Sequence, residues 1–312
     1  MPAQSLKTMN PTRAHLTLFT IVLLWGGSFA AIKHLLGAGL TGPDIAVARY
    51  LVAAPGFALC LKLSGGVRGF ARGDLARLSA AGMMVVFSYH LALNVGERYT
   101  SSGTAAVIVG TAPGITLALA CALGLERFSL TRAAGLAIAF AGVIVVVLLG
   151  SGQEVSFDNA KGPLIVLGAP LAFALYNVIT KPLLARHSPL GVSAAASLIG
   201  TVALLPLTSR DVVTRSSRLD AWDWTLILYL GLVCTLFAYV AWTAALRHLD
   251  PSRAVAYLYL VPVFAVIVGG VTLGEEITAW LLLGGALVLA GVALAQFGLG
   301  RSPARTVPVR GR

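Results

Sequence analysis

Long apolar stretches alternate along this chain with short polar or glycine-rich gaps. Runs long enough to cross about 30 Å of hydrocarbon fall at about Leu16–Leu36, Ile45–Leu63, Leu78–Val95, Thr104–Leu123 and Ala133–Leu149. The rhythm then repeats at about Pro163–Leu183, Leu190–Leu207, Thr225–Ala245, Val255–Leu273 and Trp280–Leu299. Gly65-Gly66, Gly150-Ser151-Gly152 and Asp250-Pro251-Ser252 mark gaps. The pattern predicts an all-α integral membrane protein with ten transmembrane helices. The first run follows Lys7 and Arg13 and contains Ser28-Phe29-Ala30, a sequence a signal peptidase could accept. Because the run continues past that point and has an internal counterpart in the second half, it reads as a retained span.

The two sets of five runs are related. In Pro113–Gly142 and Pro262–Gly291 a proline is followed 13 residues later by Glu126 or Glu275, then 9 later by Gly135 or Gly284, then 7 later by Gly142 or Gly291. All four pairs share an offset of 149 residues. The expected organisation is a first five-helix repeat over 16–150 and a second over 162–299. A short segment, 1–15, precedes them, and a basic tail, 300–312, follows and is expected to be disordered. Five is odd, so the second repeat enters the membrane from the opposite side and the repeats are expected to be inverted. Sixteen Lys and Arg then fall on the side of the N-terminus and seven on the other. The positive-inside rule places both termini in the cytoplasm.

Composition narrows the class. With 57% hydrophobic and 11% charged residues and a mean hydropathy of +0.86, the chain is too apolar for an ordinary soluble domain. Its net charge of +11 sits between apolar runs, which suits anionic lipid head groups and topology and argues against nucleic acid. Cys60, Cys121 and Cys234 lie inside apolar runs without metal-ligand spacing and read as packing residues. The sequence calls for no cofactor and no metal, and it leaves a homodimer open. Soluble-enzyme signatures such as Gly-x-Ser-x-Gly, His-Glu-x-x-His and the Walker A loop are missing.

Candidate chemistry is sparse. All twelve acidic residues fall in gaps or within about a turn of a predicted helix end, which argues against coupling through a buried carboxylate. Glu126 and Glu275 open the fifth and tenth helices and are expected to favour the N-terminal dipole ends there. His90 is the titratable group deep in a run. With Asn94 and Glu97 it makes a polar stripe on one helical face. The repeat offset maps this stripe onto Tyr239 and Thr243, beside Trp242. The first and sixth helices add Trp25, Phe29, Tyr176 and Asn177 near mid-span, and Tyr257 precedes Pro262. Lys33 and Lys181, near span ends, suit either head groups or substrate. Arg49 suits either the outer surface or an anion. Pro113 and Pro262 each remove a backbone hydrogen bond within a span, at corresponding places of the two halves.

Leu-Trp-Gly-Gly-Ser-Phe…Lys in the first helix, Ala-Arg-Tyr in the second and the twice-used Pro-x₁₂-Glu-x₈-Gly-x₆-Gly resemble the EamA family of the drug/metabolite transporter superfamily, over about Leu16–Leu299. The resemblance implies ten helices in two inverted five-helix units and a central cavity lined by the first, third, fourth, sixth, eighth and ninth. It further implies a secondary transporter, not an enzyme, that exports small metabolites from the bacterial cytoplasm across the inner membrane. Transferred by position, the substrate-binding candidates are Trp25, Phe29, His90, Asn94, Tyr176, Asn177, Tyr239, Trp242 and Tyr257. Without a mid-span cluster of Lys or Arg for a phosphorylated substrate, the expected cargo is neutral, zwitterionic or aromatic, such as an amino acid. The alternatives are an integral-membrane enzyme and a non-transporting sensor.

Overall fold

In lipid, backbone amides and carbonyls must bond within their own segment, so apolar runs of this length become helices. The computed structural model describes residues 11–126, 129–150, 157–208, 210–245 and 257–297. The segment 1–10, the expected disordered tail and the Asp250-Pro251-Ser252 gap lie outside the described residues. Among these, nine helices are long and apolar enough to cross a membrane: α1 (Thr12–Gly37), α2 (Gly42–Leu63), α3 (Arg72–Glu97), α4 (Ser102–Ala122), α5 (Leu130–Leu149), α6 (Asp158–Leu184), α7 (Pro189–Leu207), α8 (Ala221–Ala245) and α10 (Ala279–Gln296). Between the last two lies α9 (Leu260–Leu273). With 14 residues it is about 21 Å long, short of the hydrocarbon thickness. The run expected from Val255 is interrupted by a turn at Tyr259.

Local chemistry sets where the helices begin. Thr41 and Asp44 form a reciprocal capping box at α2, with Thr41 N donating to Asp44 Oδ2 at 2.9 Å. Asp220 and Asp223 repeat it at α8. Ser101, Ser129 and Ser188 cap α4, α5 and α7. Pro113 and Pro262 do not sit within unbroken helical stretches. Each stands in the first turn of a helical piece, Ala112–Ala122 or Leu260–Leu273, just after a break at Gly110-Thr111 or at Tyr259. A first-turn position needs no amide donor. Both α3 and α8 widen to π-helical turns, at Met83–Ser88 and Tyr229–Phe237. The repeat offset carries the first stretch onto residues 232–237, so the irregularity recurs in the second half.

α1 packs along α9 and α4 along α6; α3 lies against α7 and α2 against α8; α2 packs on α7 and α5 on α10. Exchanging the two halves maps each contact onto another in this set or onto itself. Large apolar side chains such as Phe140, Leu130 and Val271 cover the outside, as a bundle bathed in lipid tails requires. Serines, threonines and a few charged groups lie within. Cys60, Cys121 and Cys234 are free thiols.

Polar ties gather at the two ends. Where α1 terminates, His34 Nε2 meets Asp223 Oδ1 at 3.0 Å, and Arg215, from the short helix Val212–Ser216, meets Asp44 at 2.8 Å. Hydrogen bonding to Asp44 holds the Arg215 guanidinium above its ordinary value. Lys33 does not extend to head groups. Its Nζ donates to the carbonyls of Glu97 and Thr100 at 2.9 and 2.7 Å, filling the C-terminal end of α3. Glu275 does not serve its own helix either: it accepts from Ser102 N at 2.8 Å and Ser102 Oγ at 2.7 Å, capping α4. At the opposite end Asp74 accepts from Arg186 Nη2 at 2.7 Å and pairs with His187 Nε2 at 2.9 Å, tying α3 to the end of α6. Replacing Asp74 with alanine is expected to strand both partners and the Ala71 amide. A lowered melting temperature of the detergent-solubilised protein, with less effect for Asp74→Asn, is the measurement that checks it.

Candidate functional site

In mid-bundle, aromatic side chains from five helices form a continuous layer. Trp25 of α1 packs on Trp242 of α8 with ring centroids 5.4 Å apart, and on Tyr239 at 6.3 Å in an edge-on arrangement. Its indole Nε1 donates to the Cys234 carbonyl at 2.9 Å. That carbonyl lies in the π-helical stretch of α8, where carbonyls are offset from regular α-helical partners. Tyr239 also meets Phe57 of α2, at 6.3 Å.

The layer continues through α3 and α6. His90 Nε2 pairs with the Tyr50 hydroxyl at 2.9 Å, and the rings of Tyr50 and Tyr89 flank the imidazole at 5.0 and 4.9 Å. Tyr89 leads to Phe173 and Phe173 to Tyr176, at 6.3 and 6.2 Å. Tyr176 shares a long 3.4 Å contact with Ser193. Tyr50 and Phe57 share one buried apolar cluster against which Phe173, Tyr176 and Tyr239 pack, which joins the two aromatic chains into one layer. His90 Nδ1 is buried and makes no hydrogen bond. A buried, unmet imidazole nitrogen is costly to leave alone and ready for a polar ligand.

Five of the nine candidates therefore come together: Trp25, His90, Tyr176, Tyr239 and Trp242. Asn177 sits one residue from Tyr176 and reaches Thr116 of α4 only at 3.5 Å. The other three are placed elsewhere. Phe29 is 4% exposed within the apolar cluster that α1 shares with α4 and α9. Asn94 lies one helical turn beyond His90 and donates to the Gly42 carbonyl at 3.1 Å, so it joins α3 to the start of α2. Tyr257 pairs with His15 at 2.8 Å, near the N-terminal end of α1. Tyr50, Tyr89, Phe57 and Phe173 also belong to the layer and are not among the nine candidates. Tyr50 and Tyr89 had a signal, since each adjoins a charged or titratable residue inside an apolar run, Arg49 or His90. Of the expected lining helices, α1, α3, α6 and α8 contribute, and α2 joins them.

Where α1 ends, a crevice of about 580 Å³ is lined by residues including Lys33, His34, Asp220, Asp223 and Glu275. It collects the groups that make the ties at that end and lies apart from the aromatic layer.

The sequence pattern of the EamA-like transporter family matches residues 12–148 and, a second time, residues 160–297. A probable terminal-alkyne amino-acid exporter of Streptantibioticus cattleyicolor is 33% identical over 304 residues, covering 97% of this chain and 100% of that protein. An uncharacterized transporter of Archaeoglobus fulgidus is 31% identical over 277 residues, 89% of this chain and 96% of its own. A probable amino-acid metabolite efflux pump of Salmonella typhimurium is 29% identical over 298 residues, 89% and 93% of the two chains. A solved crystal structure superposes over 91% of this chain and 96% of its own with a TM-score of 0.63 at 18% identity, a likeness of fold alone.

Proposed function

Because the chain belongs to the EamA-like transporter family, we propose that it is a secondary transporter exporting a small zwitterionic or aromatic metabolite, such as an amino acid, by alternating access. The observation that carries this reading is the mid-bundle layer in which aromatic rings surround His90 and its unpaired Nδ1. Rings of this kind hold an apolar side chain by stacking, while a few polar atoms orient its polar end. His90 and Tyr239 supply hydrogen bonds; Trp25, Trp242 and Tyr176 supply stacking surface. Phe29, Asn94, Asn177 and Tyr257 surround this centre and shape it indirectly. Two relatives are described as handling amino acids or their metabolites, which supports the substrate class.

Two inverted five-helix repeats, 16–150 and 162–299, with both termini in the cytoplasm, complete the proposal. The twofold family match, the paired helix contacts and the recurring π-helical stretches support the repeats. The excess of basic residues on one side supports the orientation. Repeats of opposite topology give two conformations of similar energy that differ in which end is tied shut. The ties at the end where α1 terminates fit one of them.

Two substitutions test the site. His90→Leu and Tyr239→Leu, in protein that inserts and purifies normally, are expected to lower efflux of the exported metabolite about tenfold or more, the worth of a buried hydrogen bond or two. The metabolite is found by untargeted analysis of medium from overproducing cells. Unchanged efflux in both variants would sink the assignment.

A further inference from the structure

We infer that Arg49 is the anchor for a carboxylate on the transported molecule, an inference that rests on the transporter reading above. Arg49 is the eighth residue of α2 and only 6% exposed. Its Nε donates to Thr235 Oγ1. Thr235 lies 14 residues after the start of α8. α2 and α8 begin at the same end of the bundle, where Asp44, Arg215, His34 and Asp223 are tied together. A partner that much deeper means the arginine reaches inward, toward the aromatic layer, and not back to the membrane surface. Gly231 allows this approach: a Cβ there would meet the Arg49 carbonyl at 2.8 Å and Val52 Cβ at 2.7 Å, so α8 lies directly against α2.

Among the described residues this guanidinium has no carboxylate partner. Asp44 pairs with Arg215, Asp74 with Arg186 and His187, Asp223 with His34, and Glu126 with Arg132. Glu275 is held by Ser102 and Gly103. Buried Glu97 feels Lys33 and Glu275, at the α1 C-terminal end. Groups near Arg49 include Tyr50, Tyr89, His90, Tyr229, Cys234 and Tyr239, none of them a carboxylate. Thr235 Oγ1 itself donates to the Leu230 carbonyl at 2.8 Å, so the hydroxyl is fixed to accept from Arg49.

A cation inside a membrane bundle without a counter-ion is expensive and persists where it serves a ligand. Arginine offers a planar fork of five N–H donors matched to a carboxylate, and Nε is the donor engaged by Thr235, which leaves the two terminal nitrogens for a bidentate partner. Among the described residues no second Lys or Arg stands in this layer. One guanidinium matches the single charge of a carboxylate better than the doubled charge of a phosphate ester. The carboxylate would lie beside Tyr50 and His90, with the remainder of the molecule over Trp25 and Tyr239.

The test uses the full-length protein in proteoliposomes and counterflow of labelled aromatic and aliphatic amino acids, each paired with its carboxamide. Wild-type protein is expected to prefer acid to amide by about 10- to 100-fold, the range for a hydrogen-bonded charge. In Arg49→Gln the ratio should fall to near unity, and in Arg49→Lys and Thr235→Val to between the two. If wild-type protein moves amides as well as acids, the anchor is overturned and the transporter reading stands. An acid preference that survives in Arg49→Gln also overturns it. Movement of no acid or amide in the panel overturns the substrate reading and, with it, the inference.

Discussion

Gly291→Val is expected to melt the bundle well below the wild-type temperature and to cut the yield of monodisperse protein. A Cβ at position 291 would run into the Ala139 amide nitrogen and stand 2.6 Å from the Gly135 carbonyl oxygen. The surrounding positions have no more room. A Cβ at Gly135 would lie 2.5 Å from Ala295 N and 2.6 Å from the Gly291 oxygen, and one at Gly142 would lie 2.6 Å from Val288 N. These are backbone atoms of a facing helix, and no flexible side chain can move aside. The substituted helices must separate along their length. Within lipid, close van der Waals packing is what holds helices together, because tails solvate apolar side chains as well as a neighbour does. A loss on the order of 3 kcal/mol is expected, at the severe end for overpacking. Gly37→Ala is the control, since a Cβ there meets nothing within 4 Å. Indistinguishable thermal melts for Gly291→Val and wild type would refute the interface.

The same glycines show how much the sequence could reveal. Their repeat every seven residues, two helical turns, puts Gly135 and Gly142 on one face of α5 and Gly284 and Gly291 on one face of α10. The repetition alone sets them apart, and the structure supplies the reason: the two faces meet each other. Helical periodicity assigns a residue to a face, but not to a depth or a partner. Asn94 shares the face of His90, as the spacing required, yet one turn carries it out of the aromatic layer to the Gly42 carbonyl. Glu275 was legible as a capping residue. That the helix it caps is α4, 173 residues away in sequence, follows only from how α9 and α10 pack. Arg49 was open between surface and interior for the same reason. Its side chain is long enough for either, and Thr235 on another helix decides.

The tie made by Glu275 leads to the second large effect. Its carboxylate takes Ser102 N, Ser102 Oγ and, at 3.4 Å, Gly103 N. Ser102 and Gly103 are buried, so Glu275→Ala would leave three donors without an acceptor at the start of α4, where helix amides already lack partners of their own. The cost to this conformation is about 1–3 kcal/mol, as for leaving buried donors without an acceptor. Two conformations of an alternating-access protein differ by only a few kcal/mol. A penalty of this size confined to one of them therefore changes which is populated. On the proposed cycle, Glu275→Ala opens the bundle at the end where α1 terminates. Cys234 reports it, because its thiol is fully buried against the Leu24 carbonyl beside Arg49 and the aromatic layer. With Cys60 and Cys121 replaced by serine, a membrane-impermeant maleimide is expected to label Cys234 about tenfold faster in Glu275→Ala than in the parent, from one face of the membrane only. Glu275→Gln, which keeps an acceptor but loses the charge, should fall between. Equal labelling in all three proteins, with unaltered melting temperatures, would show that Glu275 holds no gate.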